Sequence, residues 1–224
     1  GDLSLEFKLY YRLYGIYTEW NDLVNSKKYA EKSMETAIKS GNKNDLSNAY
    51  SAMATVYTYQ YQTSKEEADF QAILDYCEKA ATLYTEFPGQ VDGYTYTIAR
   101  NNKAYYLLEY APKMTPEIRN EIEYNLKESL SIAQKLPQAQ VTQAGSLGML
   151  SNLAKQDGNW DKAEQYMFQA YSVLLTQDPI YYHIMTRVAN ELSEIYEYKG
   201  DLKKALEFQR KVTEYKALLF NQSE

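Results

Sequence analysis

The chain has 224 residues, 30 of them acidic against 24 basic, which gives a formal net charge of −6 and a pI near 5.1. No basic field exists to neutralise a nucleic-acid backbone or an anionic membrane surface, so nucleic-acid binding is disfavoured. One Cys and one His exclude a disulfide framework and a structural zinc site, while nine Gly and five Pro are too few turn residues for a β-sandwich or a phosphate-loop fold.

In chain order, Tyr10, Tyr11, Tyr14 and Tyr17 recur at steps of three and four, which places at least part of the set on one side of a first helix. Lys27-Lys28-Tyr29-Ala30, Met34 and Ala37 then read as a second helix with alternating small and large positions. A helix over about residues 45–61 carries Tyr50, Met53, Ala54 and Tyr57, and its partner carries Ile73, Cys77 and Ala80. Ala99, Ala104 and Leu107 follow, paired across a Pro-containing loop with Ile122, Leu126 and Ser129. The next pair is clearer. Leu147, Leu150, Ser151 and Ala154 run to the break Gly158-Asn159, after which come Trp160, Ala163, Met167 and Ala170. The pattern returns 42 residues later as Leu192, Ser193 and Tyr196, the break Gly200-Asp201, then Leu202, Ala205 and Phe208. Each break joins a Gly that ends one helix to an Asn or Asp that caps the next.

The small position of each second helix falls at 37, 80, 129 and 170, with Val at 212, giving intervals of 43, 49, 41 and 42 residues. This spacing resembles the tetratricopeptide repeat family, a stack of antiparallel helix pairs, most closely over 144–178 and 186–220. Longer helices and inserts at 62–69 and 110–116 account for a period above the usual one. The expectation is an all-α fold, an α-α superhelix of five repeats and ten helices. It forms one solenoid domain over 1–224. The family's groove positions, carried over by register, are Asn101 and Tyr105, Asn152 and Lys155, and Arg187 and Asn190. The resemblance implies that these six line a concave groove. There the amides would meet a peptide backbone, and the two cations a carboxylate.

Catalytic chemistry finds no footing. His183 stands alone at a helix start, Cys77 falls on a core position, and Gly89, Gly93, Gly145 and Gly148 form no phosphate-binding motif. Glu66-Glu67 reads as solvated surface. No enzymatic activity, cofactor or metal is expected, and a catalyst with an unrecognised site is the least favoured class. Tyrosine is the outstanding residue type, 24 against 6 Phe and 2 Trp, serving either inter-helix packing or an amphipathic contact surface for a peptide, glycan or protein.

Ala205-Leu206-Glu207-Phe208-Gln209-Arg210-Lys211, with Tyr215-Lys216 and Leu218-Leu219-Phe220-Asn221, resembles the end of the tetratricopeptide sensor region of bacterial two-component kinases and membrane-anchored transcription regulators. That resemblance implies an extracytoplasmic (periplasmic) input domain of a signalling protein. A free-standing adaptor, cytoplasmic in the alternative, is the other reading. Expected partners are a protein or peptide, or else a small ligand. No segment reaches the run of about 20 apolar residues that inserts in a membrane. The apolar residues of the last helix mark a surface for a homodimer or for continuing chain.

Overall fold

The computed structural model describes residues 2–221, whose secondary structure is ten α-helices: α1 Leu3–Glu19, α2 Leu23–Ser40, α3 Lys43–Ser64, α4 Glu67–Glu86, α5 Gly93–Tyr110, α6 Pro116–Ala133, α7 Gln140–Gln156, α8 Trp160–Leu174, α9 Tyr182–Tyr198 and α10 Leu202–Asn221. Consecutive helices pack as pairs, α1 with α2, α3 with α4, α7 with α8 and α9 with α10. The pair α5 and α6 is tied through its side chains. The chain divides into two compact units, residues 1–132 and 133–224, the first holding three pairs and the second two.

Local chemistry explains where the helices begin. Asp2, Asp22, Asn42, Asp92, Asn159 and Asp201 each precede a helix and accept a hydrogen bond from a backbone N–H of its first turn, which satisfies one of the donors that a helix start leaves over. Gly158 and Gly200 follow α7 and α9 at φ of +71° and +77°, a left-handed turn that a Cβ would strain. Both breaks read from the sequence are therefore turns of the expected kind. The segment 62–69 is different: α3 continues to Ser64 and α4 starts at Glu67, so the extra length there is helix and not an inserted loop. The stretch 111–115 is the loop that the Pro residues announce.

The small positions are all buried. Ala37, Ala80, Ser129 and Ala170 have no exposed surface, and Val212 is buried. A serine on the first helix bonds across the pair in three repeats: Ser47 Oγ donates to the Ala80 carbonyl at 2.8 Å, Ser151 to Ala163 at 3.0 Å and Ser193 to Ala205 at 2.9 Å. The hydroxyl takes the second lone pair of a helical carbonyl, so two backbones can approach without leaving a polar atom dry. In the first unit Phe7, Ala37, Leu46, Ala49, Leu83 and Val91 make one core cluster, and Ala80, Ala81, Tyr96 and Ala99 another. In the second unit, Phe208 stacks on Tyr196 with ring centroids 5.6 Å apart and meets Tyr171 edge-on at 5.5 Å.

Candidate functional site

In the first unit the first helices of successive pairs touch, α1 on α3 and α3 on α5. Their shared face is lined with tyrosine. Tyr14 comes from α1, Tyr59 from α3, and Tyr105, Tyr106 and Tyr110 from α5. Tyr106 is buried, its hydroxyl 3.2 Å from Thr55 Oγ1. Tyr110 accepts a hydrogen bond from Gln62 Nε2 at 2.8 Å, and its ring stands edge-on to Tyr105 and to Tyr61. Tyr105 is 43% exposed, the most open ring of this group. Burial raises the pKa of the Tyr14, Tyr105 and Tyr106 hydroxyls, with neighbouring phenols adding to the effect, so these groups stay neutral donors and acceptors at physiological pH. The α1 tyrosines divide by register. Tyr10 and Tyr17 pack on Tyr29 of α2, whereas Tyr11 and Tyr14 pack on the Ala30, Ala52, Met53 and Val56 cluster.

Deeper in the same unit lies an ionic network on α4, α5 and α6. Arg100 is 6% exposed. It donates to Glu78 Oε2, Asn125 Oδ1 and the Tyr96 hydroxyl, each at 3.2 Å, while Lys103 reaches Glu78 at 2.8 Å and Glu121 at 2.7 Å. Burial pushes the Glu78 carboxyl up, but Lys103 and Arg100 outweigh it and hold the group below its ordinary value. Every charge in the network has an opposite partner, the arrangement of a structural tie rather than of a vacant acid or base. Burial pushes the Cys77 thiol up to about 12, which leaves almost no thiolate at neutral pH.

The six residues expected in the groove divide between the units. Asn101 and Tyr105 lie on α5; Asn101 is half-buried and partnered, and Tyr105 joins the tyrosine face. Asn152 and Lys155 lie on α7, Arg187 and Asn190 on α9. Lys155 Nζ is ion-paired with Glu191, and Asn190 Nδ2 donates to Glu194 Oε1 at 2.7 Å. Lys155 also lines a small cavity with Trp160, Glu194, Glu197 and Tyr198, where the Trp160 and Tyr198 rings stack at 3.7 Å. Two further glutamates beside an already paired lysine make this corner acidic. Arg187 is exposed and has no ion-pair partner among the described residues, so of the two expected groove cations it is the one left open. His183 is exposed at the start of α9, its ring 5.9 Å from that of Tyr181. Sequence reasoning missed Thr55, Tyr59, Tyr106 and Tyr110. The signal for the three tyrosines was the abundance of that residue on α3 and α5, and Thr55 had none.

Among the described residues no cluster of three or more His, Cys, Asp or Glu side chains could hold a metal, and no helix is long and apolar enough to cross a membrane.

No protein-family model matches the chain, and no curated protein matches it. Solved structures do, and the fold they share with it is the tetratricopeptide-like array of helix pairs. BtubC (BKLC) from P. vanneervenii is 14% identical, with a TM-score of 0.64 over 98% of this chain and 92% of its own. PilF of Pseudomonas aeruginosa is 15% identical, with a TM-score of 0.67 over 96% of this chain and 78% of its own. A putative kinesin light chain with TPR-like repeats from Podosopora anserina is 12% identical, with a TM-score of 0.63 over 95% of each chain.

Proposed function

We propose that this chain is a non-catalytic protein-binding module that takes a peptide segment of its partner on the tyrosine face of α1, α3 and α5. The observation that carries this reading is the row Tyr14, Tyr59, Tyr105 and Tyr110, with Tyr110 fixed by Gln62 and Tyr105 open to solvent. A tyrosine ring gives a large contact area for two rotatable bonds, and its hydroxyl pairs with a peptide amide, so a set already ordered loses little entropy on binding. The fold favours the same class of function, since first-helix faces are where tetratricopeptide-like arrays present side chains to partners.

Peptides selected by display against the whole chain test it. Tyr105→Ala with Tyr110→Ala should weaken the selected peptides about tenfold or more while circular dichroism stays helical, because hot-spot aromatics contribute about 2 kcal/mol or more. Unaltered affinity in that double variant contradicts the site. Loss of binding on Arg187→Glu instead would move it to the second unit.

The finer reading is the input domain of a bacterial signal-transduction protein on the extracytoplasmic side. It is supported by the likeness of residues 205–221 to such regions and by the apolar surface of α10, where Leu206 and Phe220 are exposed. A free-standing adaptor is its alternative. The gene decides between them: coding sequence past Glu224 for a membrane segment and a kinase or DNA-binding module is the expected outcome, and a stop codon there contradicts the sensor reading.

A further inference from the structure

A further cavity lies beside the tyrosine face and meets it at Tyr59. It is a cleft of about 510 Å³ between the N-terminal half of α2 and the C-terminal half of α3. Its volume lies in the range of small-molecule sites, roughly 300–1,000 Å³. Leu23, Val24 and Val56 give it apolar walls, and Tyr59 adds a ring. Val24 is 80% exposed and Leu23 37%. An apolar surface this open at a cavity mouth is one that a ligand would cover.

The charge at the mouth selects the ligand. Lys27 and Lys28 line the cleft, and neither has a carboxylate within ion-pair distance among the described residues. Lys27 is positioned: its ammonium donates to Gln60 Oε1 at 3.4 Å, and Gln60 is itself held by donating Nε2 to the buried Asp69 at 2.7 Å. The Lys27 ammonium also lies 5.7 Å from the centre of the Tyr57 ring and that of Lys28 5.5 Å from Tyr29, contacts that leave both charges without a carboxylate. Glu31 is the single carboxylate in the lining, so the mouth carries an excess of one positive charge in a chain whose net charge is −6. The floor is satisfied without a ligand, since Ser26 Oγ and Thr18 Oγ1 share a hydrogen bond of 2.7 Å. The cleft thus offers an apolar body site and a cationic head site, with no polar atom left over below.

We infer that the α2–α3 cleft binds a small amphiphile, an apolar chain or ring bearing one carboxylate, with the body against Leu23, Val24 and Val56 and the head at Lys27 and Lys28. This site shares Tyr59 with the tyrosine face, but its apolar walls and its lysines lie outside that face, so it stands whether or not the peptide reading holds.

Isothermal titration of the whole chain with decanoate, well below its micelle concentration, is the test, with decyltrimethylammonium as the cationic counterpart and a peptide ending in Leu-Leu-carboxylate as the macromolecular one. Saturable binding of one decanoate is expected, with the cation silent. In Lys27→Gln with Lys28→Gln, affinity should fall about tenfold, the effect of losing one hydrogen bond to a charged group. Thr63→Trp, a change at the exposed rim, should block binding with the fold unaltered. No saturable decanoate binding, equal binding of the cation, or undiminished affinity in the lysine variant would each overturn the inference, as would preference for the peptide over decanoate. Should the lysine variant fail to fold, the wild-type comparison of decanoate with the cation decides alone.

Discussion

At Ala163 and Ala205 a side chain no larger than a methyl lets α8 come against α7, and α10 against α9, close enough for Ser151 and Ser193 to reach their carbonyls. Ala163→Trp and Ala205→Trp should each cost about 1 to 3 kcal/mol or more, since neither site has room for an indole. Urea denaturation measures this, and unchanged midpoints in both variants would mean that the pairs are not packed as described. The network around Glu78 makes a second residue-scale prediction. Its folded carboxyl titrates below the ordinary 4.5, so its contribution to stability is present above that pH and is lost as the pH falls through the folded value. Lys103→Met removes one of the groups holding it down. The variant should therefore lose less stability than the wild type between pH 5 and 3, while the other depressed carboxylates cancel in the comparison. Parallel pH profiles would contradict that account. These small and paired positions differ in how far the sequence shows them. The spacing of 37, 80, 129, 170 and 212 exposes the first kind, because packing repeats. Arg100, Lys103 and Glu78 repeat nowhere, so no periodicity marks them.

Helices announce themselves by their caps and breaks. Gly158-Asn159 and Gly200-Asp201 were legible because a left-handed Gly followed by a capping side chain is local chemistry, independent of the rest of the fold. The end of α3 was not: Lys65 takes the left-handed conformation at φ +56° without being Gly, so the helix runs three residues past Tyr61 with no residue to signal it. The groove residues show the same limit. Register gives Lys155 and Arg187 as the two cations of the expected groove, and the structure adds that Glu191, one turn after Arg187 on α9, ion-pairs with Lys155. An ion pair between helices depends on side-chain reach, which a single-helix register does not encode. On α10, Leu206 is 55% and Phe220 66% exposed, while Val212 and Tyr215 face the core. Sedimentation of the chain over a wide concentration range should reveal self-association, abolished by Leu206→Lys with Phe220→Lys. Ideal monomeric behaviour at the highest concentration would count against α10 as a homodimer surface.

Across the molecule tyrosine, with 24 copies against 6 Phe, is the main aromatic, and its copies differ in setting. Rings such as Tyr196 and Tyr215 are buried in helix contacts, and on the α1, α3 and α5 face Tyr106 and Tyr110 hydrogen-bond within the protein while Tyr105 stays open to solvent. Composition revealed the excess but not the division, which needs three helices brought side by side. The fold was the more legible part because it is written five times. The face is written once. Hydrogen exchange of the whole chain with a display-selected peptide, followed by mass spectrometry, tests the face most directly. Slowed exchange concentrated on α1, α3 and α5 around Tyr14, Tyr59 and Tyr105 is the predicted result. Protection confined to α7 and α9, or absent from the three first helices, would contradict it.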